Sequence, residues 1–158
     1  MKNLENKFMQ EAINLAKNNV INQNGGPFGA VIVKNGKIIG KGTNQVSSNN
    51  DPTAHAEIIA IRNACKKLNS FHLEECEIYT SCEPCPMCLA AIYWAHIKKI
   101  YFAANKSDAK KAGFDDSFIY NQFKNSIKKR KIPSENLSRK NALEIFQLWI
   151  DENNKILY

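Results

Sequence analysis

Thr80-Ser81-Cys82-Glu83-Pro84-Cys85-Pro86-Met87-Cys88, preceded about thirty residues earlier by Asp51-Pro52-Thr53-Ala54-His55-Ala56-Glu57, decides how this chain reads. Pro84 biases Glu83 to an extended conformation, and Pro86 is tolerated only in the first turn of a helix. Cys85 and Cys88 therefore fall at i and i+3 on one helical face, at the end whose partial positive charge favours thiolates. His55 and Glu57 would lie roughly 200° apart inside a regular helix. The spacing thus puts His55 at a loop-to-helix junction, with Glu57 in the first turn reaching back. One imidazole and two thiolates leave the fourth tetrahedral position of a Zn²⁺ open, and water there loses its proton near neutral pH. Glu57 is not needed as a ligand and is free to carry that proton.

Alone, H-x-E and C-x-x-C are each common. Cys82 also opens a rival reading, because Cys82, Cys85 and Cys88 with His55 could close a Cys₃His structural site. Cys82 precedes Glu83-Pro84, however, and so should lie off the helix that carries the other two. H-x-E followed by P-C-x-x-C is the signature of zinc nucleobase deaminases, with the Glu as proton carrier.

The remaining composition is that of a globular protein. The chain has 158 residues, 44% hydrophobic and 23% charged, which suits a single domain over 1–158. No apolar run approaches the ~18 residues of a membrane span, and Met1 to Lys7 has no signal-peptide core. Five cysteines, three of them at metal spacing, point to a reducing compartment, by default the cytoplasm. The formal charge is +7, and Lys124, Lys128, Lys129, Arg130, Lys131, Arg139 and Lys140 face only Glu135 between 124 and 140. Such a stretch would suit an RNA substrate, but a charge run is more often a solvated face.

Residues 5–20 carry Phe8, Ala12, Ala16 and Met9, Ile13, Val20 at helical spacing, and Asn24-Gly25-Gly26-Pro27 ends that helix. Residues 28–34 read as a buried strand, Asn35-Gly36 as a hairpin turn and 37–43 as its return. A helix over 55–68 should bury Ile58, Ile61, Cys65 and Leu68. Strands follow at 76–80 and 99–104, flanking the Cys85 helix with its apolar Leu89, Ile92 and Ala95. A last helix over 138–152 shows Ala142, Ile145, Phe146, Trp149 and Ile150 at helical spacing. This order implies helices layered on a sheet, an α/β fold.

The two motifs resemble the cytidine deaminase-like superfamily. With Gly25-Gly26-Pro27-Phe28-Gly29-Ala30-Val31, Ala112-Gly113-Phe114-Asp115-Asp116-Ser117-Phe118-Ile119-Tyr120 and the terminal Tyr158, the chain is similar to its bacterial guanine deaminases. The resemblance implies a three-layer α/β/α sandwich on a five-stranded mixed sheet, with the fifth strand near 129–136. It also implies a homodimer in which the C-terminal segment, about 138–158, crosses to the partner. The stripe Ile145, Phe146, Trp149 and Ile150 suits such a docking helix, although its spacing alone favours a core helix.

The implied activity is loss of the 2-amino group of free guanine in purine salvage or catabolism, with one zinc per subunit on His55, Cys85 and Cys88. Glu57 would move a proton from water to the ring, and Asp116 would relay a second to the leaving amine. Asp115-Asp116 reads otherwise as a solvated turn. Asn44 and Ala56 would contact the purine, Phe28 and Trp94 would wall it, and Tyr158 would lid the pocket. Without the resemblance, Asn44 is a strand-ending turn residue and the two aromatics are core. His72 and His96 have no metal partner at useful spacing. Three alternatives remain open: a tRNA adenosine deaminase using the same metal, a deaminase of another small base, and a zinc-stapled binding module without turnover.

Overall fold

The computed structural model describes residues 2–157, which fall into two compact units divided after Asp116. The first unit contains α1 (Lys2–Ile21), β1 (Gly29–Lys34), β2 (Lys37–Thr43), a short α2 (Val46–Asn49), α3 (Ala56–Leu68), β3 (Cys76–Cys82), α4 (Pro86–Trp94), β4 (Lys99–Ala104) and α5 (Lys106–Lys111). The second contains α6 (Ser117–Lys124), a 3₁₀ turn at Ile127–Lys129 and α7 (Arg139–Asp151).

One mixed sheet runs in the order β2-β1-β3-β4. β1 pairs antiparallel with both β2 and β3, and β3 pairs parallel with β4. The Asn35-Gly36 turn forms as its sequence requires, with both residues at positive φ, 49° and 71°. Strand alternation splits the core in two. Val31, Val33 and Tyr79 face α1 and its Phe8, whose ring lies 5.4 Å from that of Tyr79. Ala30, Ile32 and Ile78 face the other way, onto Ala56, Ala60 and Ala64 of α3 and Ile92 of α4. This unit is therefore helix on sheet on helix.

Small residues bring α3 against the sheet. A Cβ on Gly42 would stand 2.1 Å from the Ala56 carbonyl oxygen, and one on Gly40 would stand 2.4 Å from that of Ala60. The fully buried line of α3 is accordingly Ala56-Ala60-Ala64, while Ile58, Ile61, Cys65 and Leu68 are only half-buried. This corrects the burial expected of those four residues. A helix this close to glycines has no room for larger side chains on its inner face. In α1 likewise Phe8, Ala12 and Ala16 are buried, but Ile13 and Val20 are exposed.

The sheet has four strands among the described residues, not the five that the resemblance implied. Residues 129–136 begin on the last residue of the 3₁₀ turn and continue as exposed irregular chain. Pro133 has no N–H for a ladder, the Lys128-Lys129-Arg130-Lys131 charges repel, and the Lys131 amide donates to Gln122 Oε1 at 2.7 Å instead. The α7 stripe is not core either: Ile145, Phe146, Trp149 and Ile150 are 68%, 63%, 44% and 60% exposed. Three helices were not anticipated. Of these, α5 had a visible signal, since Asn105 and Asp108 close a reciprocal capping box.

Candidate active site

The parallel β3-α4-β4 unit and the β2-to-α3 connection deliver two helix N-termini to one end of the sheet. Cys85 is the N-cap of α4, with Pro86 at its first position and Cys88 one turn in. His55 is the extended N-cap of α3, and Glu57 lies in the first turn. Both junctions match the reading of the sequence.

Cys85 Sγ and Cys88 Sγ each lie 3.5 Å from His55 Nδ1, and the three ligand atoms all sit within 4.8 Å of one another. A tetrahedral zinc with ordinary Zn–N and Zn–S bonds separates its N and S ligands by about 3.6 Å. Both N–S edges of the triangle therefore match those of a tetrahedral zinc site. Its electrostatics fit as well: the Cys88 hydrogen bond first, and His55 with it, draw the Cys85 thiol down to about 4 against the cost of burial. Hydrogen bonding to Cys85, then burial, holds the Cys88 thiol up, so that the pair shares a proton which a cation would displace.

Cys82 stands apart. It ends β3, burial pushes its thiol up to about 11, and its Sγ lies 3.7 Å from the Asn105 carbonyl oxygen. Among the described residues the only metal-ligating group of three is His55, Cys85 and Cys88. The geometry favours the open site over a closed Cys₃His one.

Glu57 is 6% exposed, burial raises its carboxyl, and Thr80 Oγ1 donates to its Oε1 at 3.4 Å. It is buried beside the ligands but does not belong to their set. Asp116 is half-buried, and burial first, then the charge of Cys85, raises its carboxyl. Neighbouring Asp115 is exposed and pairs with Lys110 at 3.0 Å. Of the two aspartates, Asp116 is the one that senses the site.

Asn44 is buried, and its amide N–H donates to the Phe28 carbonyl at 3.1 Å. The Phe28 ring meets that of Phe114 edge-on at 4.9 Å. Ala56 is fully buried at the first position of α3. Trp94 is not brought to the ligands within the chain. It ends α4, about 12 Å along the axis from Pro86 at 1.5 Å per residue, and is 66% exposed. Tyr158 lies outside the described residues.

A family model of the cytidine and deoxycytidylate deaminase zinc-binding region matches residues 2–104. Guanine deaminase of Bacillus subtilis (strain 168) is 52% identical over 151 residues, covering 96% of this chain and 97% of that one. The chain belongs to the guanine deaminases of this zinc deaminase family. The X-ray structure of guanine deaminase from Bacillus subtilis superposes with a TM-score of 0.94, covering 97% of this chain and 98% of that one at 51% identity. The tRNA-specific adenosine deaminase of Aquifex aeolicus (strain VF5) is 51% identical, but over 78 residues, 49% of this chain and 52% of that one. Zinc is the metal of this family, and the donors present suit it.

Three residues around the site of this deaminase escaped the sequence reading. Thr80 holds Glu57, Phe114 meets Phe28, and Asn19 bonds to the backbone of both Gly26 and Asn44. Thr80 and Phe114 both lie in the motif stretches that carry the resemblance, and could have been found there. Nothing in the pattern of a helical Asn marks Asn19.

Proposed function

We propose that this chain hydrolyses the 2-amino group from free guanine, giving xanthine and ammonia. The observation that carries the choice of substrate is the near full-length likeness to guanine deaminase at 52% identity, where tRNA-specific adenosine deaminases match only part of the chain, 49% of it for that of Aquifex aeolicus and 71% for that of Rickettsia bellii. Zinc, held by His55, Cys85 and Cys88, would supply a water made acidic enough to attack at neutral pH. Glu57 would accept a proton from the attacking water as its oxygen adds to C2, and would return it to ring nitrogen N3. Its burial supports this role, because a carboxyl raised by desolvation holds a proton more readily than an exposed one. Asp116 relays the second proton, so that the amine leaves as ammonia. Asn44 and Ala56 orient the base, Phe28 walls it, and Tyr158 covers it. Trp94 belongs to this set only if a second subunit brings it there.

The test is xanthine formation from guanine by the zinc-loaded chain and by Glu57→Gln. The variant should keep its zinc and lose about 10²- to 10⁴-fold in rate. A zinc-loaded wild type that forms no xanthine would overturn the assignment.

The enzyme acts, on the same reading, as one deaminase domain over 1–158 within a homodimer, with the segment of about 138–158 exchanged. The exposed stripe Ile145, Phe146, Trp149 and Ile150 supports this, since apolar surface of that extent marks an interaction site. Light scattering should return twice the chain mass, and a monomer at working concentration would contradict it. The cytoplasm is the compartment this reading favours, because all five cysteines are free thiols. No helix of the described residues is long and apolar enough to cross a membrane. The basic stretch 124–140 is a solvated face on this reading, and no nucleic acid is required.

A further inference from the structure

Asn19 sits near the end of α1 and is 4% exposed. Its Nδ2 donates twice, to the Gly26 carbonyl at 2.9 Å and to the Asn44 carbonyl at 2.8 Å. The Gly26 carbonyl also accepts the Phe28 amide at 2.8 Å, and the Asn44 amide closes onto the Phe28 carbonyl. One buried side chain thus ties together the Gly25-Gly26 turn, the start of β1 and the end of β2. The approach is close: a Cβ on Gly25 would stand 2.3 Å from the Asn44 carbonyl oxygen.

The side chain of Asn44 is fixed by the same turn. Its Oδ1 accepts the Gly26 amide at 3.2 Å and the Val46 amide at 3.4 Å. Both donors are backbone N–H groups, which settles which end of the amide faces them. With the oxygen committed, Nδ2 is what Asn44 can offer a ligand, and it can only donate.

We infer that Asn19 is a positioning residue for substrate binding: it holds Asn44 and Phe28 so that Asn44 presents a lone donor to an acceptor on the purine. The inference rests on the assignment of Asn44 to the purine made above. It excludes Asn44 as a reader of the ring N–H groups and leaves it an acceptor atom such as O6 or N7. Asn19 itself does not touch substrate. Its loss therefore weakens binding in ground and transition states alike, raising KM and sparing kcat.

The test is a double-mutant cycle on the zinc-loaded enzyme, with KM and kcat for guanine measured separately alongside zinc content. Asn19→Ala should raise KM about tenfold, the scale of one hydrogen bond, with kcat within about twofold and the metal retained. Asn44→Ala should raise KM at least as much, and the double variant should be no worse than Asn44→Ala. Where Asn19→Ala does not fold, Asn19→Ser keeps one donor and should give a smaller rise in KM. If Asn44→Ala raises KM while the folded Asn19 variant leaves it unchanged, or if the two effects simply add, the positioning role is overturned. If Asn44→Ala leaves KM unchanged while guanine is still turned over, the assignment of Asn44 is itself wrong and the inference falls with it.

Discussion

Thr80 Oγ1 donates to Glu57 Oε1 across 3.4 Å, tying the middle of the sheet to the first turn of α3. The threonine is 1% exposed, so no water can stand in for it. Thr80→Val keeps the shape and removes the donor. The carboxylate is then held less firmly, and kcat/KM for guanine should fall about 3- to 10-fold, with zinc content unchanged. Equal kcat/KM in the two enzymes would show that Glu57 is held by other means.

Gly42 meets the Ala56 carbonyl so closely that no side chain fits between β2 and α3. Gly42→Ala should cost about 1–3 kcal/mol of stability as overpacking. Because Ala56 joins His55 to Glu57, the displacement should also weaken zinc retention against a chelator. Thermal melting and metal competition check both effects, and a variant unchanged in each would mean that the helix can yield.

Cys82 is buried against Asn105 and outside the ligand triangle. Cys82→Ser should therefore bind one zinc per chain and keep guanine turnover within about twofold of wild type, as expected for a residue outside the reacting group. Loss of the metal in this variant would revive a closed site with three thiolates.

On the proposed mechanism, Asp116 trades stability for function. Burial, and then the charge of Cys85, raise its carboxyl in the folded chain. Below the unfolded value of about 3.9 both states hold the proton and nothing is lost. As pH rises from there through the raised folded value, the unfolded chain sheds its proton first and stability falls. Asp116→Asn removes that loss, so it should melt higher than wild type at pH 7, with the difference gone below about pH 4. Its turnover should drop about 10²-fold or more. Melting curves across pH, paired with steady-state rates, separate the two effects. A variant as active as wild type would remove Asp116 from the mechanism.

What the sequence announced was what local chemistry determines. Pro86 had to open α4, which put Cys85 at its cap and Cys88 one turn on. Asn35-Gly36 had to turn, and His55 and Glu57 could face one site only from a helix start. Less legible were features that depend on distant partners. Apolar spacing on α3 marked Ile61 and Leu68, but Gly40 and Gly42 on another element select the alanine face instead. Residues 129–136 were expected as a strand through resemblance, whereas Pro133 and the lysines beside it keep the segment out of any ladder. The stripe on α7 has the spacing of a core helix, yet spacing cannot say whether the chain itself covers it. Asn19 looked like one of many polar residues on a solvated helix, because its two acceptors come from loops that close only in the fold.

The most direct test of the central claim is ammonia release by the zinc-loaded protein, given free guanine in one vessel and an adenosine-bearing tRNA anticodon stem-loop in another. The account predicts ammonia from guanine, lost in Glu57→Gln, and none from the RNA. Release from the RNA alone would contradict it, and would make the basic residues between 124 and 140 the substrate-binding surface.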